Sequence, residues 1–157
     1  MPNEIERKFL VNYIPKNLLG YKIKQGYLQA EKHRTVRVRT IETKKNHKGY
    51  ITIKGASNES GLSRYEFETK IPINEAIYML KLCNTPLIEK TRHIYKTKII
   101  TWEIDEFHGM NSGLVVAEVE ISSEKQKIKL PDFIYKEVTG IKKYYNNQLQ
   151  KNPYKLW

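Results

Sequence analysis

Apolar and polar residues alternate along most of this chain in short runs separated by turn signals, the pattern of an antiparallel sheet rather than of long amphipathic helices. The alternation predicts about eight strands, near residues 3–11, 22–30, 34–42, 49–55, 62–70, 87–97, 99–108 and 114–122. Successive side chains on a strand point to opposite faces. In the opening stretch EIERKFL, Glu4, Glu6 and Lys8 therefore share one face, and Ile5, Arg7 and Phe9 share the other. The same division recurs: Arg37 and Arg39 against Val36 and Val38, Thr52 and Lys54 against Ile51 and Ile53, Arg64, Glu66 and Glu68 against Tyr65 and Phe67. Lys90 and Arg92 share parity, Glu103 and Asp105 oppose Trp102 and Ile104, and Glu118 and Glu120 oppose Val119 and Ile121.

Two helices interrupt the strands. Residues 74–83 are expected to be helical, with Asn74 as cap, Glu75 in the first turn, Ile73, Ile77 and Leu80 as the apolar stripe and Pro86 beyond the end. A second helix is expected from about Lys142 to Lys151, closed by Asn152 and Pro153. No linker, low-complexity tract or heptad divides the chain, so residues 1–157 read as a single domain of α+β, mainly β, class.

A sheet with one wet face would also alternate cleanly. Such a face normally mixes Thr, Ser, Gln and Lys, whereas the pairs here are E-x-E, R-x-R, E-x-D and K-x-R. About eight strands suffice to close a barrel whose interior admits side chains or one small ligand. Turned inward, the charged faces would line a polar tunnel, with the apolar faces outward and covered in part by the two helices. Like charges in so confined a space require compensation. Lys8, Arg37, Arg39, Lys54, Arg64, Lys90 and Arg92 would form a cationic wall suited to phosphate oxygens. Glu4, Glu6, Glu66, Glu68, Glu103, Asp105, Glu118 and Glu120 would offer the hard oxygen ligands that Mg2+ and Mn2+ prefer. The implied ligand is a short polyphosphate chelated by a divalent metal.

Composition narrows the partners. Against 17 acids stand 28 Lys and Arg, giving a formal charge of +11, which brings nucleic acid, an anionic membrane or a small polyanion into view. Lys44, Lys45 and Lys48, like Lys125, Lys127 and Lys129, sit in runs that read as ordinary solvated loops. Nucleic-acid readers interleave basic residues with stacking aromatics, but these arginines alternate with valine and share faces with acids, which disfavours that partner. The lone Cys83 cannot form an intramolecular disulfide, and neither a signal-like segment nor a membrane-length apolar run is present, so a reducing, cytoplasmic setting without a membrane partner is expected. His33, His47, His93 and His108 lack ligand spacing, and no Ser-His-Asp set or Gly-rich phosphate loop stands out.

The charged positions fall in an order that resembles the CYTH superfamily, the triphosphate tunnel metalloenzymes. The opening E-x-E-x-K of Glu4, Glu6 and Lys8 is followed by QGYL at 25–28, RVR at 37–39, TIK ending at Lys54, GLSRYEFE at 61–68, EKTR at 89–92, EIDEF at 103–107 and VAEVEI at 116–121. The resemblance covers roughly residues 3–150 and is nearest to the compact bacterial inorganic triphosphatases. It implies an eight-stranded antiparallel closed β-barrel, or tunnel, with a charged interior and flanking helices, which hydrolyses a triphosphate with Mg2+ or Mn2+. By the same resemblance Glu4, Glu6, Glu118 and Glu120 match the metal-holding acids, with Asp105 a further candidate. Arg37, Arg39, Lys54, Arg64, Lys90 and Arg92 match the phosphate-binding bases, and Lys8 and Tyr27 match positions that orient or activate the attacking water. A lysine among glutamates should stay protonated, which suits Lys8 to orienting rather than to acting as a base. The family's C-terminal element often carries an acid where Ile141 stands here, and Lys143 is the candidate for its basic role. Inorganic tripolyphosphate is the first expected substrate. A class IV-like adenylate cyclase, a nucleoside or thiamine triphosphatase, and a non-catalytic polyphosphate or nucleic-acid binder are the alternatives, and the oligomeric state is open, a homodimer included.

Overall fold

The structure, a computed structural model, describes residues 3–83 and 86–157, without the side chains of Asn3 and Glu4. Its strands are β1 (Asn3–Val11), β2 (Leu19–Glu31), β3 (Arg34–Glu42), β4 (His47–Gly55), β5 (Ser63–Ile71), β6 (Ile88–Lys96), β7 (Thr101–Phe107), β8 (Val115–Glu120) and β9 (Ile134–Glu137). The first eight lie where the alternation places them, within a few residues. All pair antiparallel in the order β5-β4-β3-β2-β6-β7-β8-β1, and β5 returns to β1 through Asn3↔Tyr65, Glu4↔Arg64 and Ile5↔Ser63. That pairing closes an eight-stranded barrel. Since β5 holds only the first part of β1, the remainder of the same edge is free to pair with the short β9, through Phe9↔Glu137 and Leu10↔Lys136. This ninth strand has no counterpart among the expected ones, because four residues with a single alternation carry almost no periodic signal.

Two apolar stretches of the outer surface are covered, each by a different means, while Ile53, Tyr65 and Phe67 on β4 and β5 stay exposed. Helix α1 (Ile73–Leu82) lies over β2, β3 and β4, where Ala76 and Leu80 join Val38, Cys83, Ile51 and Leu87. Ala76 and Leu80 form the buried stripe, whereas Ile77 is 39% exposed at its margin. Pro72, not Asn74, occupies the cap position, and no side chain caps the helix, because proline's fixed φ starts the helix two residues before the expected cap. On the opposite side Phe9, Trp102, Ile104, Ala117, Val119 and Ile121 pack under Phe133 and Ile128, so irregular chain rather than a helix closes that face.

The second expected helix is split and placed elsewhere. Lys142–Tyr144 form one tight 3-10 turn, and α2 spans Asn146–Lys151, with Asn152 at its end as expected. Its Leu149, fully buried, packs with Ile88, Phe107, Leu114 and Val116 and with Leu10. Leu10 and Val116 have the parity of Lys8 and Glu118, so this cluster lies inside the barrel. Helix α2 therefore plugs one end of the tunnel instead of covering an outer face.

Helix α1 approaches β4 closely because position 49 is glycine: a Cβ there would stand 2.5 Å from the Cβ of Ala76. Gly49→Ala is expected to destabilise the protein by about 1–3 kcal/mol through overpacking. Chemical denaturation checks this, and an unchanged midpoint would show that α1 can back away at no cost.

Candidate active site

The inward parity of the charged positions is realised. Lys8, Tyr27, Thr35, Arg37, Thr52, Lys54, Arg64, Lys90, Arg92, Glu6 and Glu118 line one narrow cavity, and Tyr145, Asn146 and Asn147 complete its lining. Counted to its open mouth, the cavity is about 480 Å3. The side chains that line it contact one another.

Their pairings are specific. Lys8 Nζ lies 3.4 Å from Glu118, Arg64 lies 3.9 Å from Glu6, and Lys54 lies 3.3 Å from Glu66. Arg39 donates to Glu68 at 3.1 Å, and Arg37 donates to Thr52, whose hydroxyl in turn donates to Glu68 at 2.8 Å. Deepest is Asp105, which accepts from Arg92 Nε and Nη2 at 2.8 and 2.9 Å and from Lys90 Nζ at 2.8 Å. Arg92 also donates to Glu103, and Lys90 to Asn146. Side-chain exposure rises from 1% at Lys90 to 41% at Glu103, so the tunnel opens at the end away from α2.

Electrostatics follow from this crowding. Burial lowers the Lys8 pKa, but the carboxylates of Glu118 and Glu6 outweigh it and the net shift is upward, which keeps the ammonium charged. Burial first, and then the neighbouring Arg37 and Arg92, pull Arg39 down to about 10. Burial also brings Lys90 down to about 8 despite Asp105. Burial raises Asp105, yet Arg92 and Lys90 hold it well below the usual carboxylate range. For Glu103 burial dominates and the shift is upward. Among the described residues, the buried side-chain atoms without a partner are Arg37 Nε, Arg39 Nε, Gln25 Oε1 and Trp102 Nε1. Two of these are guanidinium donors on the tunnel wall, where an anion would satisfy them.

The expected site residues do not all converge. Lys143 is exposed and stacks on Trp157, 4.4 Å from the ring centroid, and on Tyr144, outside the tunnel. The side chain of Glu4 lies outside the described residues, though its backbone pairs with Arg64. Asp105 spends its oxygens on Lys90 and Arg92. Residues that the pattern reading did not single out are Gln25, Thr35, Tyr145, Asn146 and Asn147. Gln25 shares parity with Tyr27 and was legible in principle, while Tyr145, under Lys8 at 5.2 Å and Arg64 at 5.7 Å, arrives through a non-repetitive segment.

The remaining acids suit a divalent cation. Glu6 stands directly opposite Glu120, and Glu118 directly opposite Glu103, like-charge pairs that Arg64, Lys8 and Arg92 offset in part and that a divalent cation would offset further. Among the described residues no three acids already close around one point. Such a wall leaves positions for phosphate oxygens and water, as Mg2+ sites commonly do.

The model of the CYTH domain family matches residues 2–150. The chain belongs to the CYTH family. A relative called inorganic triphosphatase from Acetivibrio thermocellus is 46% identical over 158 residues, covering 99% of this chain and 97% of that protein. One of the same name from Nitrosomonas europaea is 34% identical, covering 93% and 95%. A crystal structure of an inorganic triphosphatase superposes with a TM-score of 0.66 at 31% identity, covering 96% of this chain and 95% of that one. The barrel is thus that of a CYTH domain.

Removing Asp105 would take from Lys90 its ion-pair partner and leave Arg92 with the half-exposed Glu103. Asp105→Ala is expected to cost about 3–5 kcal/mol. Because the folded pKa lies below the ordinary value of 3.8, the contribution is present above about pH 4 and is lost as pH falls toward the folded value. Denaturation curves against pH should therefore show a steeper acid loss in the parent than in the variant.

Proposed function

We propose that this protein is a divalent-metal-dependent inorganic triphosphatase that cleaves tripolyphosphate to pyrophosphate and phosphate, residues 1–157 acting as one domain in the cytoplasm. The observation that carries the reading is the gathering of Lys8, Arg37, Lys54, Arg64, Lys90 and Arg92 around one cavity whose far end is closed, with the Nε donors of Arg37 and Arg39 buried and unpartnered. The names of the two relatives at 46% and 34% identity support it. No described helix is long and apolar enough to cross a membrane. Nucleic acid fits poorly, because the cations lie within a narrow channel rather than along an open stripe.

In this reading Arg37, Arg39, Lys54 and Arg64 bind phosphate oxygens and exchange their present carboxylate partners for the substrate. Asp105 positions Lys90 and Arg92, which complete the wall from the other side. Glu6, Glu118 and Glu120, with Glu4 at the same edge, would hold Mg2+ or Mn2+, whose charge offsets that of the phosphate chain when bound. Lys8, charged and 3.4 Å from Glu118, orients rather than deprotonates, and Tyr27 lines the same cavity. Water attacks in line, and charge building on the leaving oxygens is met by preorganised cations.

Phosphate release from tripolyphosphate is expected to stop on chelation and to return with Mg2+ or Mn2+. Arg39→Ala and Glu120→Ala are each expected to lower kcat/KM by roughly 100- to 1000-fold. Unaltered turnover in both variants would remove the tunnel as the site. Running ATP beside tripolyphosphate, with cyclic AMP as a second readout, separates hydrolase from cyclase.

A further inference from the structure

Gln25 on β2 is wholly buried, 0% exposed, on the tunnel-facing side of its strand between Arg39 of β3 and Ile88 of β6. Its Nε2 lies 3.5 Å from the hydroxyl of Tyr27, which is 5% exposed and lines the cavity. Its Oε1 has no partner. An amide buried so completely with one end unsatisfied costs about 1–3 kcal/mol, so a packing role alone would favour an apolar residue here. A glutamine at this place must be read through what its other end does.

A phenol hydroxyl has one proton and two acceptor positions. When Gln25 Nε2 donates to Tyr27, it occupies the acceptor side of the hydroxyl and leaves the proton for the cavity. The reverse amide orientation would instead capture that proton and add two more N–H donors to a wall where Arg37 Nε and Arg39 Nε already lack acceptors. Phosphoryl oxygens are acceptors only. They need a donor from Tyr27, not a lone pair.

Resting on the triphosphatase reading, we infer that Gln25 is a positioning residue that fixes Tyr27 as a hydrogen-bond donor to the phosphoryl group nearest the tunnel floor. The role of Tyr27 is thereby narrowed: it stabilises charge on substrate oxygen, and Lys8 is left to orient the water.

Steady-state hydrolysis of tripolyphosphate with Mg2+ tests this in Gln25→Met, Tyr27→Phe and the double variant, with melting temperatures recorded. Each single change is expected to lower kcat by roughly 10- to 100-fold with KM within about threefold, and the double variant is expected to be no slower than Tyr27→Phe. Gln25→Glu, nearly isosteric but able only to accept, is expected to lower kcat as far as Tyr27→Phe does, and with its own double variant it carries the test should Gln25→Met not fold. Wild-type kcat in Gln25→Met, or losses that multiply in the double variant, would overturn the assignment, since a packing role acts independently of the phenol. An active parent with an unimpaired Gln25→Met removes this role alone. An inactive parent removes the triphosphatase reading and the role with it.

Discussion

A buried carboxylate shared by two buried cations sets the terms for the rest of this protein. Lys90 and Arg92 are almost without solvent, and either would be prohibitively costly there alone. Asp105, bidentate to Arg92 and bonded to Lys90, permits both to stay charged at alternate positions of one strand. Glu103, nearer the mouth, is a second acceptor for Arg92. The sharing recurs around the barrel at Arg37 and Arg39, where Glu68 serves two guanidinium groups. A closed sheet can hold such clusters because every strand contributes one alternate face to the interior.

The parity of charged residues made this much legible in the sequence. Glu6, Lys8, Arg37, Arg39, Lys54, Arg64, Lys90, Arg92 and Glu118 needed only the period of two and the number of strands to be gathered in one channel. What alternation does not encode is chemical commitment. Glu103-x-Asp105 and Glu118-x-Glu120 look alike as patterns, yet Asp105 is sealed into an ion-paired cluster while Glu120 is exposed. The difference arises from cross-strand register, which places Asp105 opposite Arg92 and Glu120 opposite Glu6.

The C-terminal segment resisted reading for another reason. Residues 142–151 carry helical composition, but Tyr145 breaks the helix into a turn and a short α2 whose anchor, Leu149, finds its partners inside the barrel. An amphipathic stripe reports that a helix buries one side, not which cavity receives it. Lys143 then falls on the outward side, against Trp157. Likewise α1 takes its start from Pro72, whose fixed φ outcompetes a polar cap two residues later.

The apolar floor formed by Leu10, Ile88, Phe107, Leu114, Val116 and Leu149 turns the channel into a blind alley. Traffic in a blind alley has an order: whatever lies deepest is the last to depart, and the fragment nearer the mouth must clear first. The pieces of a phosphate chain cut in this barrel would accordingly leave in that order, and free phosphate in the surroundings would compete for the same dead end.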